Sequence, residues 1–261
     1  MPAPLAFPPL RIAIVTATDA IDLADYEWLT GREAAAVLSD LADDVRPLPQ
    51  QTARLRKSLS APRTSLVLEQ VDLRRRARQK FSHAERMFFT RTALEQSTDE
   101  WIAAYKAQRF GSGEVWDLCC GIGGDLLALA ARGPATGIER DPITCHFASA
   151  NLIACDLALP LQKGRVQCEP VTLTCLPTGA LWHIDPDRRA TGQRTTHLDF
   201  ASPPREVLDE LLTRAPNAAM KLAPGTTLPA EWADRAEAEW IRRGSAPWHL
   251  KWEFTAQQKL P

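Results

Sequence analysis

Two carboxylates, two thiols and three glycines fall within nine residues: Asp117-Leu118-Cys119-Cys120-Gly121-Ile122-Gly123-Gly124-Asp125. An apolar strand (Val115, Trp116, Leu118) runs into the glycines, and the helical pattern Leu126–Arg132 follows. Gly121 and Gly123 let the backbone turn tightly and approach a ligand where a Cβ would clash. The helix start offers N–H groups without intrahelical partners. Strand, turn and helix open a nucleotide-binding βαβ unit. Glu139 ends the next strand, 22 residues after Asp117. That is close to the spacing of an acidic residue that bonds ribose hydroxyls. The third glycine of G-x-G-x-x-G is missing, and Asp117 and Asp125 flank the loop. Both would repel a pyrophosphate but not a cationic sulfonium, so the loop favours S-adenosylmethionine over NAD.

A second cluster, Asp185-Pro186-Asp187-Arg188-Arg189, follows the strand-like Ala180–Ile184. In open α/β folds the carboxyl ends of strands are where ligands and reacting groups gather. Asp185 and Pro186 are the candidate catalytic pair, with Asp185 as a hydrogen-bond acceptor. Arg188 and Arg189 suit a phosphate or carboxylate; an internal ion-pair network with Asp185, Asp187 or Asp199 would use the same charges. His183 shares a strand face with Asp185. It lies two residues deeper, which reads as a core or solvated histidine rather than a base.

The third cluster is basic. Residues 51–91 carry eleven Lys/Arg against Glu69, Asp72 and Glu85, in a chain of net charge −1. Arg74-Arg75-Arg76 is its densest part. The asymmetry suggests a polyanionic partner, with Arg74, Arg75 and Arg76 as substrate-binding candidates. Basic residues in a last helical turn also suit the macrodipole.

The elements that must carry these groups divide into three parts. Residues 1–19 form a proline-rich extension with one short strand at 11–15. Residues 20–110 are helical and basic, with breaks at Pro47, Pro49 and Pro62. A Thr92–Glu95 capping box starts a helix running to about Phe110. Residues 111–261 form a Rossmann-like α/β domain. Its strands start at Val115, Thr136, Arg165, Ala180 and Asn217, and 236–242 and 248–254 close the sheet as an antiparallel hairpin. Asp141 and Pro142 start the helix after Glu139. The six cysteines contain no C-x-x-C pair, so no metal site is expected. Free thiols fit a reducing cytosol. No apolar run approaches a membrane span of about 20 residues.

The loop from Asp117 to Gly124 and the strand end Gly137-Ile138-Glu139 resemble the first two motifs of the class I S-adenosylmethionine-dependent methyltransferases. Adding Met87-Phe88-Phe89-Thr90, Leu94-Glu95-Gln96, Asp185-Pro186-x-Arg188-Arg189 and Lys221-Leu222-Ala223-Pro224-Gly225, the chain resembles a bacterial family. Its members join a class I methyltransferase domain to a THUMP-like C-terminal domain. The glycine loop is also similar to that of trimethylguanosine synthases. The resemblance covers residues 24–258, and the chain ends at Pro261 without the tail. It implies a seven-stranded, mostly parallel sheet and an RNA substrate. Asp117, Cys119, Gly121, Gly123, Gly124 and Asp125 would line the methionine end of the cofactor, and Glu139 would hold the ribose. Asp185-Pro186 keeps the first two positions of the amino-methylating motif and lacks its second proline and aromatic.

The expectation is a cytoplasmic S-adenosylmethionine-dependent methyltransferase acting on RNA, with no metal and no membrane partner. Two other readings stay open. One is a methyltransferase for a small molecule or protein; the other is a non-catalytic RNA-binding adaptor that keeps the fold.

Overall fold

The computed structural model of the protein describes residues 20–157, 164–187, 197–222, 225–241 and 251–255. Arg188, Arg189 and the strand expected at 11–15 lie outside the described residues. The chain falls into two compact units, Met1–Leu68 and Glu69–Pro261.

The first unit holds helices α1 (Leu23–Leu29), α2 (Arg32–Ala42), α3 (Leu48–Leu55) and the start of α4 (Ala61–Ala77). Asp22 caps α1 by accepting the Asp25 N–H at 3.0 Å. Proline occupies the first turn of α3, where its missing N–H costs nothing. Leu29, Leu38, Leu41 and Leu55 are buried. Arg63 donates to Asp25 at 3.0 Å and lies 4.7 Å over the Trp28 ring. One member of the basic segment is thereby used in packing.

The second unit continues with the end of α4, α5 (Arg91–Gln96) and α6 (Glu100–Ala107). The single helix expected from Thr92 is two helices. Thr90, not Thr92, caps α5, accepting the Ala93 N–H at 3.1 Å. Lys80 Nζ donates to the carbonyls of Leu94, Glu95 and Ser97 at 2.7–3.1 Å, satisfying acceptors at the end of α5. Asp99 then caps α6. Ser97 and Thr98 are left as a linker between two helix ends.

Five strands run parallel: β1 (Val115–Leu118), β2 (Ala135–Glu139), β3 (Gly164–Cys168), β4 (Leu181–Ile184) and β5 (Ala218–Leu222). β6 (Glu237–Ile241) and β7 (Lys251–Thr255) extend the sheet antiparallel at the β5 edge. The strand order is β3-β2-β1-β4-β5-β7-β6. The chain therefore winds one way through β1–β3 and the other way from β4, with the switch point between β1 and β4. Helices α7 (Gly124–Arg132) and α8 (Pro142–Ala154) connect β1, β2 and β3. α9 (Arg205–Arg214) connects β4 and β5, and the short α10 (Ala230–Ala233) precedes β6.

Strands β1, β2, β4 and β5 are almost wholly buried, as expected of parallel strands covered on both faces. Trp182, Ile184, Leu208, Leu211 and Met220 form one core, and Val115, Leu126, Leu129, Ala148 and Leu152 another. Trp182 is fully buried and its indole N–H donates to the Ala215 carbonyl at 2.6 Å. α6 packs on α7. That contact brings a pre-sheet helix to the glycine loop.

Candidate functional site

The loop after β1 takes a left-handed conformation at every second residue: Cys119 (φ 59°), Gly121 (φ 57°) and Gly123 (φ 92°). Glycine meets this geometry without steric cost; cysteine does not. Gly123 is the left-handed N-cap of α7. Gly124 permits a close approach, because a Cβ there would stand 3.2 Å from the Thr98 nitrogen. The α5–α6 linker thus lies directly against the start of α7. Glu139 braces the loop from β2, accepting the N–H of Gly121 at 3.0 Å and of Asp141 at 2.9 Å.

Behind this loop runs a buried chain of polar side chains. The register pairs Asp117 of β1 with His183 of β4 across the switch point. Neighbours in register share a face, so the carboxylate meets the imidazole: His183 Nδ1 lies 2.8 Å from Asp117 Oδ1. Lys106 Nζ of α6 lies 3.1 Å from His183 Nε2 and 2.6 Å from Asp125 Oδ1. An ammonium can only donate, so Nε2 is the acceptor and Nδ1 carries the proton toward Asp117. Thr98 Oγ1 donates to Asp125 Oδ2 at 2.6 Å and accepts from Lys221 Nζ at 3.1 Å. Lys221, on β5, is ion-paired with Asp185 Oδ2.

Asp117 and His183 are each 1 % exposed, and Lys106 3 %. Among the described residues this polar chain holds three carboxylates, two ammonium groups and the His183 imidazole. Burial pushes the Asp117 carboxyl above its usual range, against the lowering by the His183 hydrogen bond. Asp117 Oδ2 is buried and has no hydrogen-bond partner among the described residues.

Asp185 and Pro186 follow β4, and Pro186 is buried. Asp187 exchanges two backbone hydrogen bonds with Ser202, at 3.0 and 2.9 Å. Arg140, one residue past β2, donates to Ser202 Oγ at 3.1 Å and lies 3.8 Å from Asp187 Oδ2. The Cys119 thiol donates to the Ser202 carbonyl at 3.8 Å. Burial raises the thiols of Cys119 and Cys120, which holds them protonated.

The Met87–Phe89 backbone is clamped by side chains. Gln70 exchanges two hydrogen bonds with Phe89, at 2.9 and 3.0 Å. Asn151 of α8 does the same with Phe88 (2.7 and 3.0 Å) and also donates to the Ile122 carbonyl in the glycine loop at 2.9 Å. Arg74 donates to the Met87 carbonyl at 2.9 Å and lies 4.8 Å over the Phe88 ring, which stacks on Phe147 at 5.9 Å. Burial lowers the Arg74 pKa to about 10. Arg74 is thus occupied in holding this segment. Arg75 and Arg76 are exposed, and Arg76 lies 3.9 Å from Asp72 and 4.0 Å from Glu95.

No protein-family model matches the chain. A solved structure of a putative methyltransferase from Porphyromonas gingivalis W83 superposes with a TM-score of 0.64 at 21 % identity, covering 90 % of this chain and 58 % of that one. The chain has a Rossmann-like methyltransferase fold. An uncharacterized S-adenosylmethionine-dependent methyltransferase of Mycobacterium tuberculosis is 34 % identical over 173 residues, 62 % of this chain. The chain spans 46 % of the length of that relative. A 23S rRNA (uracil(747)-C(5))-methyltransferase of Shewanella sp. strain ANA-3 is 32 % identical over 126 residues, 44 % of this chain and 29 % of that protein.

Within the methyltransferase fold the structure brings Asp117, Cys119, Gly121, Gly123, Gly124, Asp125 and Glu139 to one strand edge. It connects Asp185 to them through Lys221 and Thr98. Sequence reasoning assigned no role to Lys106, Thr98 or Asn151, and it assigned His183 to the core or solvent. Lys106 and Thr98 precede the first strand and carry no motif; only the α6–α7 packing reveals them. The strand-face argument for His183 held the available signal, since Asp117 occupies the matching register position on β1. Among the described residues no group of His, Cys, Asp and Glu could hold a metal ion. No helix among them is long and apolar enough to cross a membrane.

Proposed function

We propose that the protein is an S-adenosylmethionine-dependent methyltransferase acting on RNA. The observation that carries this reading is the left-handed loop 119–121–123, flanked by the unpartnered buried Asp117 Oδ2 and the Glu139 carboxylate. This cradle fits the cofactor: Asp117 offers Oδ2 at its methionine end, Asp125, paired with Lys106 and Thr98, holds the helix start beside it, and Glu139 stands at the β2 end where a ribose binds. When bound, S-adenosylmethionine supplies an electrophilic methyl group on a cationic sulfur. The name of the mycobacterial relative supports the cofactor, and that of the Shewanella relative the RNA class.

The protein's own residues orient and exclude water. Burial of the Asp117–His183–Lys106–Asp125 chain fixes the loop before a ligand arrives. Asp185 and Pro186 border the methyl acceptor, and exposed Arg75 and Arg76 offer charge to an RNA backbone. Arg188 and Arg189 follow the same strand and are assigned to phosphate. Arg74 serves the site indirectly, by holding the Met87–Phe89 segment. The motif set also resembles the THUMP-like family.

Calorimetric titration with S-adenosylhomocysteine tests the cofactor reading. Micromolar binding by the wild type, weakened at least tenfold in Glu139→Gln, is expected. No binding by folded protein would sink it. The substrate reading is tested by methyl transfer from labelled S-adenosylmethionine to RNA from cells lacking the gene. Labelled RNA supports it; label confined to protein or small molecules refutes it.

A further inference from the structure

Lys221 lies on β5, one residue beyond the register pair Ile184–Met220. Asp185 is likewise one residue beyond Ile184, so the two stand side by side at the strand ends. Lys221 is buried, 4 % exposed, whereas Asp185 is half-buried. Its ammonium engages Asp185 Oδ2 and donates to Thr98 Oγ1 at 3.1 Å. Thr98 passes the contact on to Asp125 in the first turn of α7, and its backbone lies against Gly124. One buried cation therefore spans the strand end that borders the acceptor and the loop that borders the cofactor.

Burying a lysine is costly unless it is fully paired. A carboxylate at an open strand end needs no buried partner to stay soluble. The arrangement makes sense if the orientation of Asp185 matters. We propose that Lys221 is a positioning residue: it fixes Asp185 by one oxygen, Oδ2, so that Oδ1 accepts a hydrogen bond from the methyl acceptor. This proposal rests on the RNA methyltransferase reading and narrows it. The acceptor is then an N–H or O–H group of the RNA, an exocyclic amine or a ribose hydroxyl, because a carbon nucleophile has no such hydrogen to offer Asp185. Lys221 touches neither reactant and acts through Asp185.

The test uses the full chain, S-adenosylmethionine and RNA from cells lacking the gene. Lys221→Met should lower kcat at least thirtyfold while KM for RNA and Kd for S-adenosylhomocysteine stay within threefold. Lys221→Arg keeps the charge and should recover to within fivefold of wild-type kcat. A crystal structure of Lys221→Met should show Asp185 turned from its present rotamer. Should Lys221→Met not fold, Thr98→Val removes the hydroxyl that accepts from the ammonium and should lower kcat three- to tenfold. Nucleoside analysis should find the label on nitrogen or on a ribose oxygen. Wild-type kcat in Lys221→Met, or in Thr98→Val where the first variant is unfolded, overturns the proposal. So does label on a base carbon. Absence of methylation by wild-type protein instead overturns the RNA reading, and the proposal falls with it.

Discussion

Removing the Lys106 ammonium should destabilise the protein far more than an average substitution. Its Nζ stands 2.6 Å from Asp125 Oδ1, and both side chains are nearly excluded from water. At an effective dielectric constant of about 20, Coulomb attraction at this distance is about 6 kcal/mol. Desolvating the two ions costs several kcal/mol each, so the net worth of the pair is small. Breaking it is different. Lys106→Met takes the ammonium from the buried Asp125 carboxylate, which keeps the Thr98 hydroxyl, and leaves His183 Nε2 without its donor. The expected cost is about 3–5 kcal/mol. Neutralising the stranded carboxylate should recover much of it. The double variant Lys106→Met/Asp125→Asn should lie at least ~1.5 kcal/mol above the sum of the two single effects. Urea unfolding monitored by tryptophan fluorescence gives these values from midpoint and slope. A loss under ~1 kcal/mol in Lys106→Met, or strict additivity in the cycle, would refute the idea that this chain of charges is buried and mutually dependent.

Cys119→Gly should stabilise the protein by about 1 kcal/mol in the same assay, since it relieves a left-handed cysteine. An unchanged or lowered midpoint would mean that the thiol contact with Ser202 outweighs the backbone strain. Asn151→Ala should cost about 2–4 kcal/mol, because it leaves the Phe88 N–H and the Phe88 and Ile122 carbonyls unpaired in the interior. It should also weaken S-adenosylhomocysteine binding, and unaltered affinity would separate the clamp from the loop. Alkaline pH should destabilise the fold. Burial raises Cys155 to about 11 and Cys145 to about 12. The unfolded chain, with thiols near ~8.5, releases protons that the native state keeps. Stability is therefore fully present below about pH 8.5 and falls as pH rises toward these folded values. Denaturation midpoints that are flat between pH 8 and 10 would contradict this.

The local elements of the cofactor side were legible because they depend on near neighbours. Glycine at 121 and 123, an apolar run before them and Asp141-Pro142 after Glu139 each act within a turn or two. The helix break at Ser97–Asp99 was not legible. The Thr92–Glu95 pattern satisfies a capping box on its own, yet Lys80, a dozen or more residues earlier, supplies the donors that end α5. Similarly, Arg74, Arg75 and Arg76 are equivalent in a composition count. Their fates differ because one faces the Met87 carbonyl and Phe88, while the others face solvent.

The sequence by itself determined a strand, a tight glycine turn and a helix at 115–132, and an acidic residue at the end of the following strand. These follow from backbone sterics and from periodic burial, which need no distant partner. Only the tertiary structure decided which charges meet. Lys106, Thr98, His183 and Lys221 come from four separate elements. They form one buried chain because parallel register aligns β1, β4 and β5, and because α6 packs on α7. A charge shows its type in the sequence, but whether it is solvated, paired or left to meet a ligand depends on what the fold places beside it.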